Sequence, residues 1–350
     1  MNRIELLLPF LLALGSSFAL TPLVRLLALR LGVVSVPGGR HIHATPTPKL
    51  GGLAIVGSFL LVVGGILVTD PTKLQFVAEQ SLGIDRNLFG VLLGALVLVV
   101  TGVLDDRFDL NPWIKLGLQA IAALCVVAFG VEIHWLSNPL GGSNIVLGAL
   151  TYLLVPIWLL LMINTVNLFD GLDGLASGLT AIACAAMVFL SLEPMVDQPG
   201  TALLAAILAG ATLGFLPYNW HPAKIFLGDT GSMFLGYMVG VFAIISGAKF
   251  ATAALVLGIP ILDAFWVILR RLLSGQSPMK ADKLHLHHRF LNAGFSVRST
   301  VLILYAISAL FGMIALTTGT AGKVTALIWL VVLAVLLGGG LVLLERRRKV

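Results

Sequence analysis

The chain has 350 residues, of which 58% are hydrophobic and 11% are charged, with a formal net charge of +6. Soluble domains carry about 25% charged and about 45–50% apolar residues, so this composition excludes an ordinary soluble protein and predicts an integral membrane protein. The positive charge is then typical of loop asymmetry across a bilayer, and no nucleic-acid partner is expected. Cys125 and Cys184 both lie in apolar runs, which argues against a disulfide framework or a soft-metal cluster.

Apolar segments long enough to cross a bilayer follow one another along the whole chain. A transmembrane helix needs about 20 mostly apolar residues, and the sequence therefore predicts an all-α, polytopic membrane helix bundle with about eleven transmembrane helices in one domain, 1–350. The first segment is too long for a signal-peptide core, so it is expected to stay attached. The predicted spans are residues 4–29, 50–69, 87–104, 113–131, 146–163, 175–192, 201–217, 232–247, 251–272, 299–317 and 324–344.

The distribution of basic residues predicts the orientation. With an odd number of spans the termini lie on opposite sides, and the basic tail "ERRRKV" is expected in the cytoplasm with the N-terminus outside. Only five of the 22 lysines and arginines then fall outside. The polar segments on the cytoplasmic face of the cell (inner) membrane are about 30–49, 105–112, 164–174, 218–231 and 273–298, and they are expected to form the site.

The first of these segments contains "HIHATPTPKLGG". Thr-Pro-Thr-Pro excludes helix locally, and the glycine pair allows a close backbone approach. The segment is either a rigid turn that enters the second span or a phosphate site built from Lys49 and His43.

Asp105 and Asp106, in "LDDRFD", are predicted at the inner end of the third span. Neighbouring carboxylates repel each other unless a cation lies between them or one is protonated, and the C-terminal end of a helix disfavours anions further. A solvated helix end paired with Arg107 is the alternative. The cost of two acids at this place favours a functional role.

The segment "NTVNLFDGLDGLASG" places polar residues at intervals of three, and in a helix neighbouring members would share a face. An acid embedded in a membrane costs several kcal/mol unless it is paired or hydrated. A polar, capped helix end is the alternative, but the coincidence of acids, amides and glycines favours function. The four residues are Asn164, Asn167, Asp170 and Asp173.

Asp229 lies between glycines in "AKIFLGDTGSMFLG", at the entry to the eighth span. It either caps that helix or is held in a turn as a carboxylate ligand for a metal.

The last segment, "KADKLHLHHRF", is strongly cationic. The usual excess of basic residues on the cytoplasmic side of a membrane protein would explain the lysines but not the three histidines. Zinc is the second alternative, although no cysteine is near and no certain fourth ligand is visible, so anion binding is favoured. The residues are Lys280, Lys283, His285, His287, His288 and Arg289.

Taken together, these segments bring five aspartates and a cationic loop to one membrane face. Carboxylate and amide oxygens suit Mg²⁺, or Mn²⁺, and Mg²⁺ commonly binds through one or two carboxylates plus substrate phosphates. The residues alone therefore predict a metal-dependent enzyme that acts on a phosphorylated substrate at the cytoplasmic face.

Over residues 32–298 the chain resembles the polyprenyl-phosphate N-acetylhexosamine-1-phosphate transferases (glycosyltransferase family 4). The resemblance is carried by five motifs in this order: "TPTPKLGG", "DDR", "NLFDGLDGLASG", "YNWHPAKIFLGDTGS" and "DKLHLHHRFLNAGFS". The resemblance implies that a UDP-N-acetylamino sugar donates sugar-1-phosphate to a polyprenyl phosphate lipid, typically undecaprenyl phosphate. The products are the lipid diphospho-sugar and UMP. The sequence leaves open whether the chain forms a homodimer.

The resemblance also implies roles for the acidic residues. Asp229 matches the magnesium aspartate, with Asn167 as its helper. Asp105 matches the acid that takes the proton from the lipid phosphate, and Asp106 supports it. Asp170 is expected either as a covalent nucleophile or as an organiser of metal and diphosphate, and direct attack by the lipid phosphate is preferred.

The remaining roles concern substrate binding. By the same resemblance Asp173 is expected at the nucleotide and Asn219 near the nucleotide or the metal, with Lys49 and Lys115 as phosphate contacts. The histidine loop is expected to contact diphosphate or sugar through His285, His287, His288 and Arg289.

The donor is predicted from a departure within the family. The phospho-MurNAc-pentapeptide transferases of peptidoglycan synthesis usually carry three consecutive histidines, whereas this chain has "HLHHRF". The sequence is more similar to the branch that starts O-antigen, enterobacterial common antigen or teichoic acid with UDP-GlcNAc, which is the predicted donor. The alternatives are the MurNAc-pentapeptide reaction and an anion transporter, which would place its site near the bilayer midplane.

Asp263, the one deeper acid, is expected to pair with Arg270 or a neighbouring span.

Overall fold

The computed structural model describes residues 3–35, 46–136, 138, 142–247, 249–275 and 285–348. His43, Lys280 and Lys283 lie outside these residues. Helices dominate the described chain: α1 (Arg3–Arg30), α2 (Gly52–Thr69), α3 (Arg86–Phe108), α4 (Pro112–Ala128), α5 (Thr151–Phe169), α6 (Leu175–Ser191), α7 (Pro199–Asn219), α8 (Gly228–Ile245), α9 (Phe250–Val256), α10 (Gly258–Leu273), α11 (Leu286–Asn292), α12 (Val297–Thr317) and α13 (Thr320–Arg348).

Short antiparallel ribbons connect some of the helices. In the ribbon nearest the site, Val34 pairs with Pro48 and Ser35 with Thr47. The strands are β1 (Val34–Ser35) with β2 (Thr47–Pro48), β3 (Gln80–Ser81) with β4 (Ile84–Asp85), and β5 (Trp135–Leu136) with β6 (Ile145–Val146). Two 3₁₀ turns, Pro71–Leu74 and Gly148–Leu150, complete the regular structure of the described residues.

Local sequence explains where several helices begin. The Asp85 side chain accepts a hydrogen bond from Leu88 N at the start of α3. Asn111 accepts from Trp113 N ahead of α4, which has proline at its first position, and Ser296 caps α12. Such side chains accept hydrogen bonds from backbone N–H groups that the first turn of a helix leaves unpaired. The capping residues therefore set where these helices begin, and the apolar runs account for their length.

The all-α polytopic bundle is confirmed. Each predicted span falls on a helix, and in the described chain eight helices are long and apolar enough to cross a membrane. Two predicted spans correspond to the 17-residue helices α4 and α6. The predicted span 251–272 is broken, because α9 and α10 meet at 83°. The break coincides with Gly258 and Pro260, and proline lacks the N–H that would continue the ladder of helical hydrogen bonds.

The interior of the bundle lies around α7 and α8. In each of these helices 83% of the most apolar 18-residue stretch is buried, against 17% in α1 and 11% in α13. The start of α8 packs closely on α2 and α3. A Cβ added at Gly52 would lie 2.2 Å from Gly231 Cα, and one at Gly102 would lie 2.3 Å from Thr230 Cα. Glycine at these contacts lets the helix ends that carry acidic residues converge.

Candidate active site

A cavity of about 630 Å³ opens where the ends of α3, α5, α7 and α8 meet α11 and the β1–β2 ribbon. Eight of the residues predicted from sequence line it: Lys49, Asp106, Asn167, Asp170, Asp173, Asn219, Asp229 and His288. The others are not among the lining residues: Asp105, Lys115, His285, His287 and Arg289. The sequence therefore identified eight of the 19 lining residues, together with five residues outside the lining.

Asp229 is the centre of the carboxylate cluster. Asn167 donates a short hydrogen bond to its Oδ1, and Lys115 Nζ donates to its Oδ2 at 2.8 Å. The same ammonium lies 2.8 Å from Asp105 Oδ2 and 3.1 Å from Asn167 Oδ1. Lys115 thus neutralises part of the charge of the cluster from α4. Its prediction as a phosphate contact is not tested by this arrangement.

Asp106 binds the N-terminus of α8 across the helix interface. Its carboxylate accepts hydrogen bonds from Asp229 N at 3.0 Å, from Thr230 N at 3.1 Å and from Thr230 Oγ1 at 2.8 Å. An acid at the positive end of a helix macrodipole is stabilised. Asp106 therefore fixes the turn that carries Asp229, although 123 residues separate the two in sequence.

Asp170 follows the last residue of α5, so the predicted helical face over 164–173 ends at Phe169. Burial raises the pKa of the Asp170 carboxyl well above its usual range, and the charges of Asp229, Asp106 and Asp173 raise it further. Asn164 donates instead to Gln119 Oε1 within the bundle, at 2.8 Å. A bound cation would offset the negative charge that accumulates around Asp170.

No ready-made metal cage exists among the described residues, since no three His, Cys, Asp or Glu side chains converge on one point. This arrangement gives no support to the zinc alternative within that part of the chain, because a zinc site needs at least three protein ligands. It is compatible with Mg²⁺, which binds through one or two carboxylates and completes its octahedron with water and substrate phosphates.

Asn219 and Asp173 tie the α7–α8 segment to the turn before α6. Asn219 Oδ1 accepts from Gly174 N at 3.1 Å and from Ser177 Oγ at 2.8 Å. Asp173 Oδ2 accepts from Ala223 N at 3.0 Å and lies 2.7 Å from His221 Nδ1. Sequence reasoning missed His221, although it stands in "YNWHPAKIFLGDTGS" between two predicted site residues.

The histidine segment packs against α10. Asp263 accepts from Leu286 N at 2.8 Å and lies 2.7 Å from His285 Nδ1, so its partner is the histidine segment. The His285 and His287 rings stack with centroids 5.5 Å apart, and His288 is next, 4.4 Å from His287. The stack leads from α10 to the cavity, which His288 lines.

His287 is the unusual member of this stack. It is 1% exposed, and neither ring nitrogen has a hydrogen-bond partner among the described residues. Burial lowers the pKa of its imidazole well below the usual range, and His288 and His285 lower it further. The lowered pKa favours the neutral imidazole, whose contact to an anion would be made through an N–H.

The comparisons with known proteins identify the family of the chain. The family model described as glycosyl transferase family 4 matches residues 88–247. A probable undecaprenyl-phosphate N-acetylglucosaminyl 1-phosphate transferase of Bacillus subtilis is 33% identical over 91% of this chain and 87% of its own.

Two further relatives carry related names. A decaprenyl-phosphate N-acetylglucosaminephosphotransferase of Mycobacterium tuberculosis is 38% identical over 84% of this chain and 77% of its own. An undecaprenyl-phosphate alpha-N-acetylglucosaminyl 1-phosphate transferase of Escherichia coli is 29% identical over 83% and 77%. The chain therefore belongs to glycosyltransferase family 4, the polyprenyl-phosphate N-acetylhexosamine-1-phosphate transferases, in the branch of the N-acetylglucosamine-1-phosphate transferases.

Proposed function

We propose that this protein transfers N-acetylglucosamine-1-phosphate from UDP-GlcNAc to undecaprenyl phosphate and releases UMP, as the first membrane step of cell-envelope polysaccharide or teichoic acid synthesis. The single observation that carries the proposal is one cavity lined both by Asp106, Asn167, Asp170 and Asp229 and by Lys49 and His288. Acids and amides suit a cation that binds diphosphate, and cationic groups suit the phosphates themselves. The names of the relatives support the lipid acceptor and the transferred sugar.

The residues fit a resident Mg²⁺, or Mn²⁺. Burial raises the pKa of Asp170, and three neighbouring carboxylates raise it further, so a cation beside it would offset unfavourable negative charge. Asp229 and Asn167 are the residues that would hold the ion, with Asp170 beside them. When bound, the ion would neutralise charge on the diphosphate as UMP departs.

The chemistry requires one oxygen of the lipid phosphate to attack the β-phosphorus of the donor. A new P–O bond forms, the P–O bond to UMP breaks, and any proton on the lipid phosphate must leave. We assign that proton to the Asp105–Asp106 pair. Asp106 lines the cavity, and Asp105 lies behind it against Lys115. Orientation of the two substrates supplies much of the remaining acceleration.

Direct attack is favoured over a covalent enzyme intermediate. The raised pKa of Asp170 disfavours the ionised carboxylate, which is the form that would act as the nucleophile. The covalent route would release one equivalent of UMP before any lipid is added. A single-turnover assay without acceptor measures this burst, and its appearance would contradict direct attack.

We further propose eleven spans, with the N-terminus outside and the cavity and C-terminus on the cytoplasmic side. The proposal rests on the bias of basic residues, because only five of 22 fall outside. In a chain without Cys125 and Cys184, cysteine is introduced at Met195, which is 99% exposed, and separately at exposed Asn292. An impermeant maleimide applied to intact cells should label position 195 alone, and labelling of position 292 alone would reverse the orientation.

The activity is tested with purified protein, polyprenyl phosphate and a panel of UDP-sugars. UMP release and a new lipid diphospho-sugar are expected with UDP-GlcNAc and Mg²⁺, and both should stop when EDTA is added. Turnover of UDP-MurNAc-pentapeptide but not UDP-GlcNAc would assign the peptidoglycan reaction. If no UDP-sugar yields UMP while vesicles accumulate an anion, the protein is a carrier and the proposal is wrong.

A further inference from the structure

His221 forms a part of the cavity wall to which no substrate contact has been assigned. It lies after α7, in the segment that leads to Asp229, and it lines the cavity. Its side chain is 39% exposed, whereas that of its partner Asp173 is 18% exposed. The histidine therefore presents more of its surface to a ligand than the aspartate does.

Asp173 fixes the His221 ring. An ionised carboxylate only accepts hydrogen bonds, so the 2.7 Å contact places a hydrogen on His221 Nδ1. In a neutral imidazole this selects the tautomer in which Nε2 is an acceptor. The backbone is held as well, because Arg298 Nε donates to His221 O at 3.0 Å and Ala223 N donates to Asp173 Oδ2 at 3.0 Å.

The neighbours of His221 on the wall indicate which part of a donor it meets. Pro222, Ala223 and Val297 line the same cavity and offer apolar surface. A pyrimidine base has two flat apolar faces and a polar edge, which matches such surface with one oriented nitrogen. An N-acetyl sugar carries hydroxyls around its ring and needs several polar partners, while the diphosphate suits the carboxylate cluster and its cation.

We propose that His221 is a donor-contact residue whose Nε2 accepts a hydrogen bond from the nucleotide part of the UDP-sugar, and that Asp173 is a positioning residue acting through it. This inference rests on the proposed function and deepens it. It also gives Asp173 a role that acts through His221, because Asp173 Oδ2 contacts His221 Nδ1 and accepts from Ala223 N.

The test is direct binding of UMP to the purified full-length protein, combined with steady-state kinetics. His221→Asn keeps an amide donor near the position of Nδ1 but removes the second nitrogen. The Kd for UMP and the KM for UDP-GlcNAc should rise about three- to tenfold, the usual range for one hydrogen bond. The kcat and the KM for polyprenyl phosphate should stay near the wild-type values. The matched control is His134→Gln, a histidine that is 79% exposed and outside the cavity, and it should change nothing.

Two further variants test the role of His221 even if the first variant does not fold. If His221→Asn does not fold, His221→Phe keeps the ring without either nitrogen and should weaken UMP binding at least as much. Asp173→Asn should raise the Kd for UMP, and combined with His221→Asn it should add little, because both changes remove one interaction. Unchanged UMP binding in both His221 variants, or an equal rise in the KM of the lipid, would overturn the inference. If the wild-type protein neither binds nor releases UMP, the proposed function fails and this inference fails with it.

Discussion

The two sides of the cavity differ in how their polar groups are satisfied. The carboxylate wall consists of Asp106, Asn167 and Asp229, with Asp105 and Lys115 behind them, and is carried by α3, α4, α5 and α8. Each of its residues makes a hydrogen bond to another or to the start of α8. The histidine wall consists of His221 and His288, with His285 and His287 behind His288. It is carried by the α7–α8 segment and the seven-residue helix α11.

This difference indicates that the two walls have different roles. Groups held by long packed helices keep their geometry when a substrate binds, which suits the binding of a cation and the stabilisation of charge. Groups on short segments reorganise at lower cost. On the seven-residue helix α11, His287 shows the looser bonding of this wall, because its two ring nitrogens lack partners among the described residues. The carboxylate wall is thus expected to set the rate of turnover, and the histidine wall to set recognition.

Among the changes in the carboxylate wall, Asp229→Ala should cause the largest fall in turnover. The change removes the acceptor for Asn167 and Lys115 together with the expected cation ligand. Loss of several kcal/mol of charge stabilisation corresponds to about a thousandfold or greater fall in kcat. The measurement is UMP release at saturating Mg²⁺. Asp70→Asn, a change in the exposed Asp70–Lys73 pair, is the control and should keep normal turnover. Turnover within tenfold of wild type in Asp229→Ala would contradict the assignment.

Asp105→Asn should have the next largest effect. Asp105 accepts from Lys115 Nζ and from Leu110 N, and the amide would keep only the second of these bonds. Removal of a proton acceptor typically costs about a hundredfold or more in rate. The expected result is a fall of that size in kcat.

The Asp105 experiment needs a measurement that separates chemistry from folding. Removing one partner of a buried ion pair destabilises a fold, but Lys115 keeps its 2.8 Å contact with Asp229 in Asp105→Asn. The thermal midpoint of this variant should therefore fall little while its turnover falls strongly. Near-normal turnover in Asp105→Asn would remove Asp105 from the proposed proton transfer.

The carboxylate wall was largely predictable from the sequence, and the reason is energetic. An acid in an apolar chain is costly, so Asp106, Asp170 and Asp229 were conspicuous in the sequence. Apolar runs likewise predicted the helices, since a span must satisfy its backbone internally. The amide of Asn167 was found because it lies one helical turn before Asp170.

The histidine wall was only partly predictable, because its geometry depends on distant pairings. His221 and Asp173 are 48 residues apart, and His285 and Asp263 are 22 apart, with no periodicity to link them. The expected partner of Asp263 was Arg270 or a neighbouring span, and nothing local indicated the histidine segment. The break between α9 and α10 has a local cause in Gly258 and Pro260, but its 83° angle is set by packing.

Gly171→Ala tests the contact between the Asp170 turn and the histidine wall. A Cβ at this position would lie 2.2 Å from His287 Nε2, so the ring must move. Overpacking of this kind costs about 1–3 kcal/mol, and a fall of about tenfold in kcat/KM is expected. Gly117→Ala, whose added Cβ meets nothing within 4 Å, is the matched control and should be silent.

A double variant shows whether this effect comes from the His287 ring. With His287→Ala already present, Gly171→Ala should cause little further loss, because the clash is gone and the two changes are coupled. Additive losses would mean that Gly171 matters for another reason, such as direct contact with the substrate.

The smallest expected effect concerns stability and comes from Asp170. The pKa of this carboxyl is raised in the folded state, so the native protein binds the proton more tightly than the unfolded chain does. Folding stability in the absence of metal should therefore fall as pH rises from about 4, the ordinary value for aspartate, through the raised pKa. Asp170→Asn removes the ionisation, and in EDTA its free energy of unfolding should exceed that of wild type at pH 8.

The same comparison at low pH determines whether ionisation is the cause. Because its raised pKa favours the protonated form of Asp170 as the pH falls, the thermal midpoints of the two proteins should approach each other at low pH. Asp70→Asn provides a control of opposite sign, because a hydrogen bond from Thr72 lowers the pKa of Asp70 and favours its charged form. Mg²⁺ should stabilise wild type more than Asp170→Asn, since only the wild-type carboxylate gains from a neighbouring cation. A pH-independent difference between the two proteins would trace the effect to packing, and the carboxylate wall would then have no unneutralised charge for a cation to relieve.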